Sequence, residues 1–277
     1  TDPGTASAAT APELAWPTMD LETTALEPWE ARGTIRITWQ DDLMAAYVQN
    51  EDAMPTYYLR DGDQYYTSQT LMGWTLHDRT SLEASSPRAY RYLTWDLPAL
   101  ATDASPDATD DGLALQAPTT FRGRTETTTL RVQHDGTTVT GATVETPFDP
   151  ESPYTLHPAT DALPFSARAP AGALPSATVE DKDEDARQGH ARIIGWLDAY
   201  ARQNAGRVPD QVTPQALAVQ RLTQAWPTNP YAGTPMTNDH ASGHFTWTRC
   251  SDTDAVYMGY GWDGSPIGAS YGNGCAQ

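Results

Sequence analysis

Short runs of alternating polarity, closed by Asp-Gly turns, fill residues 29–168 and restrict that part of the chain to antiparallel β structure. In GTIRITWQ, Ile35, Ile37 and Trp39 fall on alternate positions, the period that sends every second side chain to one face of a strand. PTYYLRDGDQYYTSQ reads as two strands around Asp61-Gly62-Asp63, and Thr129–Gln133 and Thr137–Val144 flank a second turn at His134-Asp135-Gly136. GWTLHDR, RAYRYLTWDL and SPYTLHP supply further strand candidates rich in Thr, Tyr, Trp and Val. Between them, 101–112 is a polar loop.

The flanks are different. Residues 1–28 carry Pro3, Pro12, Pro17 and Pro28 among small polar residues and read as a flexible arm. Residues 169–183 are a linker of Pro, Ala and acids. Beyond it, Ile193, Ile194, Trp196, Leu197, Tyr200 and Ala201 lie mostly on a helical stripe, with Gly206 placed to end the helix. Thr213 and Pro214 open a second, shorter helix. GHFTWTR and AVYMGYGWDGSPIG follow as strands, with a turn at Trp262-Asp263-Gly264. The expected class is therefore α+β. An N-terminal antiparallel β domain (29–168), a half-barrel or curved sheet, precedes a second domain (184–277) with one longer helix, a short helix and a small antiparallel sheet.

Charge narrows the partners. The chain has 36 Asp and Glu against 17 Lys and Arg, a net charge of −19, and Lys182 is its single lysine. Phosphate backbones demand clustered basic residues, so nucleic acid is not an expected partner. Anionic lipid surfaces are disfavoured for the same reason. No run of about 18 apolar residues occurs that could cross a membrane as a helix. The opening at Thr1 reads as a mature or trimmed form, compatible with a lipid-anchoring cysteine upstream.

Cys250 and Cys275 are the only cysteines. They lack CxxC or zinc-type spacing, and as the ends of one loop in a terminal domain they read as a disulfide. Closing about 25 residues would contribute roughly 3 kcal/mol through the unfolded chain. A disulfide implies an extracytoplasmic setting: periplasm, cell surface or medium.

The second domain resembles the globular head of type II secretion pseudopilins and type IV pilins. Four segments carry the likeness in order: LDAYARQNAGRVPD, WPTNPYAGTPMT, GHFTWTRC and AVYMGYGWDGSPI. They correspond to the end of the long pilin helix, the Pro-rich loop and the paired strands of the head. The Cys250–Cys275 pair is in keeping with the C-terminal disulfide of many pilins. The resemblance implies a structural or adaptor role beside other envelope, pilus or secretion proteins. It also implies calcium in the C-terminal loops, where Asp252, Asp254 and Asp263 lie in the matching region; the alternative is that these acids cap turns. One departure is plain: a linker and a β domain stand where a pilin has its apolar stem.

The β domain is similar, in the order of its parts only, to the half-barrel of LolA-type and LppX-type envelope lipoproteins, which hold acyl chains. Only 70–86 could supply the helical lid of that family. The likeness implies a lipid or other apolar ligand. Aromatics on strands of this domain, Trp39, Tyr57, Tyr65, Trp74, Tyr92 and Trp95, are candidates to line a groove or stack a glycan; the alternative is an ordinary aromatic core.

Catalytic signatures are missing from the sequence: no GxSxG, P-loop, HExxH or GxGxxG motif occurs. His240 and His244 sit in a loop and read as surface residues. The expectation is a protein that is not an enzyme.

Overall fold

The computed structural model describes residues 14–23, 33–40, 42–50, 54–85, 93, 96–98, 107–109, 112–121, 124–147, 153–218, 225–271 and 275. It is an α+β molecule with two compact units. The first takes its described residues from Thr1–Tyr65 and Asp78–Ala169, the second from Tyr66–His77 and Pro170–Gln277.

Nine strands of the first unit form one antiparallel sheet. They are β1 (Met19–Thr23), β2 (Gly33–Gln40), β3 (Leu43–Asn50), β4 (Thr56–Asp61), β7 (Asp107–Thr109), β8 (Gly112–Phe121), β9 (Arg124–His134), β10 (Val139–Glu145) and β11 (Tyr154–Pro158), in the order β4-β3-β2-β1-β11-β10-β9-β8-β7. Strand β5 (Gln64–Ser68) leaves this unit after Tyr65, and β6 (Thr75–His77) lies wholly in the second. Both expected hairpins are present, with turns after Asp61 and after His134.

Alternation decides which face is buried. Ile35, Ile37 and Trp39 point into a core shared with Met19, Leu21, Met44, Leu130, Val132, Val144 and Leu156. Helix α1 (Arg79–Ser85) adds Leu82 to that core, and Leu93 and Leu97 join it. Asp78 starts α1 by accepting the Ser81 N–H at 2.7 Å.

The opposite face carries a polar row across five strands, His157, Asp20, Arg36, Tyr47 and Tyr57, each opposite the next in register. Arg36 donates from Nε and Nη2 to Asp20 at 2.6 and 3.1 Å, and from Nη1 to the Ala162 carbonyl at 3.3 Å. That last bond lays the segment after β11 over the row, and Phe165 meets Tyr57 edge-on at 5.3 Å.

Several sequence expectations need correction; one is the polar loop at 101–112, where β7 and the first residue of β8 lie. Residues 1–28 are not all arm: β1 sits between β2 and β11, and Leu14 and Trp16 pack on the core. The prolines around this run hide a strand of only five residues. Residues 66–77, read as part of the β domain, belong to the second unit. Residues 176–183, read as the end of a linker, are the first turns of a 28-residue helix, α2 (Ser176–Gln203). Their acids gave a linker-like composition but stand mostly at exposed or half-exposed positions of that helix.

The second unit places α2 on a three-stranded antiparallel sheet, β13 (Phe245–Arg249), β14 (Ala255–Tyr260) and β15 (Pro266–Tyr271), ordered β13-β14-β15. Ala186, Gly189, His190, Ile193 and Leu197 form the buried stripe of α2, and Ile194, Trp196 and Tyr200 pack beside it. The C-terminus of α2 turns over at Gly206, whose φ of 82° suits glycine and whose N–H caps the Ala201 carbonyl at 2.8 Å. Thr213 Oγ1 accepts the Ala216 N–H at 3.0 Å and starts α3 (Pro214–Ala218). A two-residue strand, β12 (Leu174–Pro175), pairs in parallel with β6 immediately before α2.

Candidate functional site

The second unit gathers its polar side chains where three loops meet the start of α2. The first is the WPTNPYAGTPMT loop. Asn229 is its buried hub: Oδ1 accepts the N–H groups of Tyr231 and Ala232 at 2.9 and 3.3 Å, and Nδ2 donates to the Ser242 carbonyl at 2.8 Å. An asparagine side chain can hold a tight turn in this way because it mimics backbone donors and acceptors. Trp226 stacks on Trp196 at 5.5 Å and donates from Nε1 to the Met236 carbonyl at 2.8 Å. Pro227 and Met236 lie against Gly189, where a Cβ would come within 2.6 Å of the Met236 methyl.

α2 grips this loop with adjacent residues. Lys182 Nζ donates to the Pro230 carbonyl at 2.9 Å and stands 5.6 Å from the Tyr231 ring centroid, so the chain's one lysine is used here. Asp183 Oδ1 accepts the Tyr231 hydroxyl and the Trp262 N–H, the latter at 2.9 Å. Burial, reinforced by the bond to Asp183, pushes the Tyr231 phenol well above its ordinary value.

The second loop is the turn at Trp262-Asp263-Gly264. Asp263 Oδ1 accepts the backbone and hydroxyl of Ser265 at 3.0 and 2.6 Å. Its other oxygen accepts the N–H of Gln69 at 2.9 Å. Gln69 belongs to the third loop, which joins β5 to β6. The Trp262 indole N–H donates to the Trp74 carbonyl at 2.9 Å, and a Cβ on Gly73 would lie 2.6 Å from the Trp262 carbonyl. Leu174 also donates to the Trp74 carbonyl, at 3.0 Å.

Beneath the loops, His190 is fully buried. Its Nδ1 meets the Tyr257 hydroxyl at 2.7 Å, while Nε2 has no hydrogen-bond partner among the described residues. Its ring fills the space a side chain at Gly259 would need, with a Cβ there only 2.5 Å from Cδ2. Burial pushes its pKa down to about 4, the Tyr260 backbone opposing and the charge of His244 assisting. Tyr257 is raised by the same burial.

The residues singled out from sequence fall as follows. Cys250 and Cys275 are joined in a disulfide with their Cα atoms 5.3 Å apart. Asp252, Asp254 and Asp263 are not brought together. Asp252 pairs with Arg249, which also binds Asp210. The Asp254 carbonyl accepts the N–H groups of Cys250 and Ser251 at 2.9 and 3.0 Å. Among the described residues no three His, Cys, Asp or Glu side chains are grouped as metal ligands would be.

The aromatics divide as well. Trp39 and Tyr65 are in the first core, Trp39 edge-on to Trp16 at 5.6 Å. Tyr57 is on the opposite face with Tyr47 at 5.5 Å. Trp74 lies in the second unit. Tyr92 and Trp95 lie outside the described residues. His240 packs on the Tyr260 ring at 4.4 Å, and His244 Nδ1 accepts the Thr237 N–H at 3.1 Å.

Reading the sequence missed Asn229, Asp183, Lys182 and His190 as organising groups. The signal for Asn229 was available, since Asn-Pro-Tyr-Ala-Gly is turn chemistry. His190 gave no such signal: Gly259, its counterpart, is 69 positions away. No protein-family model matches the chain, and no curated protein matches it in sequence.

Proposed function

We propose that the chain is an extracytoplasmic cell-envelope protein that acts by contact, as a structural, adaptor or binding component, through a pilin-like head in the second unit. The single observation that supports it best is the Cys250–Cys275 disulfide closing the end of that unit, since such bonds persist in oxidising compartments. The four pilin-like segments all do structural work in this unit. The helix end is capped at Gly206, the Pro-rich loop folds on Asn229, and the paired strands back α2.

The departure from a pilin shapes the role. α2 begins at Ser176 directly after β12, and no helix of the described residues is long and apolar enough to cross a membrane. A filament core of parallel apolar stems is therefore not the mode of assembly we propose. The head instead presents loops to partner proteins of the envelope, a pilus or a secretion machine.

A second reading has one observation in its favour. Tyr47, Tyr57 and Phe165 cluster on the polar face of the first sheet, and half-exposed aromatic rings can stack a sugar. The carrier reading would instead place an apolar ligand on the face where Trp39, Tyr65 and Leu82 are packed.

In-cell crosslinking of the tagged chain, followed by identification of linked peptides, tests the leading reading. The expected result is crosslinks from residues 226–240 and 249–263 to envelope proteins. Links only to cytoplasmic proteins would overturn it. Saturable binding of a glycan, lost in Tyr57→Ala, would move the assignment to the second reading.

A further inference from the structure

We propose that Met72 is an oxidant-responsive latch: transfer of one oxygen atom to its Sδ releases the loop 69–74 from the turn at Asp263-Gly264. Within the second unit the loop between β5 and β6 meets this turn through specific contacts. Gln69 donates to Asp263, the Trp262 indole donates to the Trp74 carbonyl, and Gly73 lies against Trp262. Met72 closes the set. Its terminal methyl occupies the space beside the Gly264 Cα that any side chain there would take, and Gly264 holds φ at 77°.

The loop is strained while it is held. Leu71, next to Met72, has φ of 65°, a left-handed conformation unfavourable for a branched side chain. Ser68 Oγ accepts the Leu71 N–H at 3.0 Å and Thr70 Oγ1 accepts the Met72 N–H at 3.3 Å. Strain of this kind persists only where surrounding contacts over-determine it. Removing one contact lets the loop relax away from the turn.

Met72 joins packing with access. It is 48% exposed, against 0% for Met19 and Met44 and 1% for Met236. Thioether oxidation follows exposure. A hydroperoxide supplies the atom: the Sδ lone pair attacks the terminal oxygen, the O–O bond breaks, and the leaving oxygen takes the proton to become an alcohol or, from hydrogen peroxide, water. Sulfur loses two electrons and the peroxide gains them. The sulfoxide is polar, wider and chiral, and it sets a bulky S=O dipole on the sulfur whose methyl packs against Gly264. Met54, exposed at 43% in the first unit, is an internal control with the same access.

The test treats the full chain with hydrogen peroxide, maps sulfoxides by peptide mass, and follows amide hydrogen exchange. Met72 and Met54 should oxidise before Met19, Met44 and Met236. Amides of 69–74 should then exchange about tenfold faster, reflecting local opening, and methionine sulfoxide reductase should restore protection. Met72→Leu should stay protected under the same peroxide. Full oxidation of Met72 with unchanged exchange, or an equal response in Met72→Leu, would overturn the proposal.

Discussion

The indole N–H of Trp262 donates to the backbone carbonyl of Trp74 at 2.9 Å across 188 residues of sequence. This bond and the neighbouring Gln69–Asp263 bond make a segment from the first half of the chain part of the second unit's core architecture. Trp262→Ala removes the donor, the platform for Gly73 and the ring against Tyr231. We expect a loss of about 2–3 kcal/mol, read as a lower urea midpoint, with Trp262→Phe recovering the packing share but not the hydrogen bond.

Gly259 is required by the imidazole above it. Gly259→Ala drives a methyl into the His190 ring and should cost about 1–3 kcal/mol. Combined with His190→Ala, which vacates the space, the double variant should be less destabilised than the sum of the two single changes. Additivity within about 0.5 kcal/mol in the double-mutant cycle would show that the two sites are independent.

His190 also gives the second unit a pH dependence. Its folded pKa is depressed to about 4 from an ordinary 6.5, so the unfolded chain binds the extra proton first. The stability it contributes is fully present above pH 6.5 and is lost as pH falls from 6.5 toward 4. The groups bearing on it are Tyr257, His244 and the Tyr260 backbone. The loss is on the order of 2–3 kcal/mol, and His190→Gln should flatten unfolding midpoints over that window.

Asn229 is the hub of the Pro-rich loop. Asn229→Ala leaves two backbone N–H groups and the Ser242 carbonyl without their partner, costing about 2–3 kcal/mol. Asn229→Asp keeps the acceptor for Tyr231 and Ala232 but sets a charge against the Ser242 carbonyl. Both changes should raise hydrogen exchange in 227–243 more than in α2.

The parts legible in the sequence were those whose signal is local. Ile35, Ile37 and Trp39 alternate, and the hairpins announce themselves at Asp61-Gly62 and Asp135-Gly136. Thr213 and Gly206 mark helix ends at the expected residues. What escaped was what depends on distant partners. Nothing in QTLMGWTLH says that it completes a turn near residue 263 rather than a β domain. Strand β1 is five residues among prolines, and its place beside β11 comes from distant pairing, with Asp20 opposite His157, 137 positions away. The acids of 180–183 read as linker because composition does not show that Asp183 is spent on Tyr231 and Trp262. For Trp39 and Tyr65 the sequence left groove lining and ordinary core both open, because a strand pattern gives the faces but not which one is covered; both lie in the core.

The envelope assignment rests most directly on the redox state of Cys250 and Cys275 where the protein resides. Thiol alkylation in intact producing cells, quenched in acid and followed by intact-mass measurement, reads it in one step. The account predicts a chain two hydrogens lighter than its fully reduced form and carrying no alkyl group, with both cysteines labelled only after reduction. A chain labelled at both cysteines without reduction would contradict it.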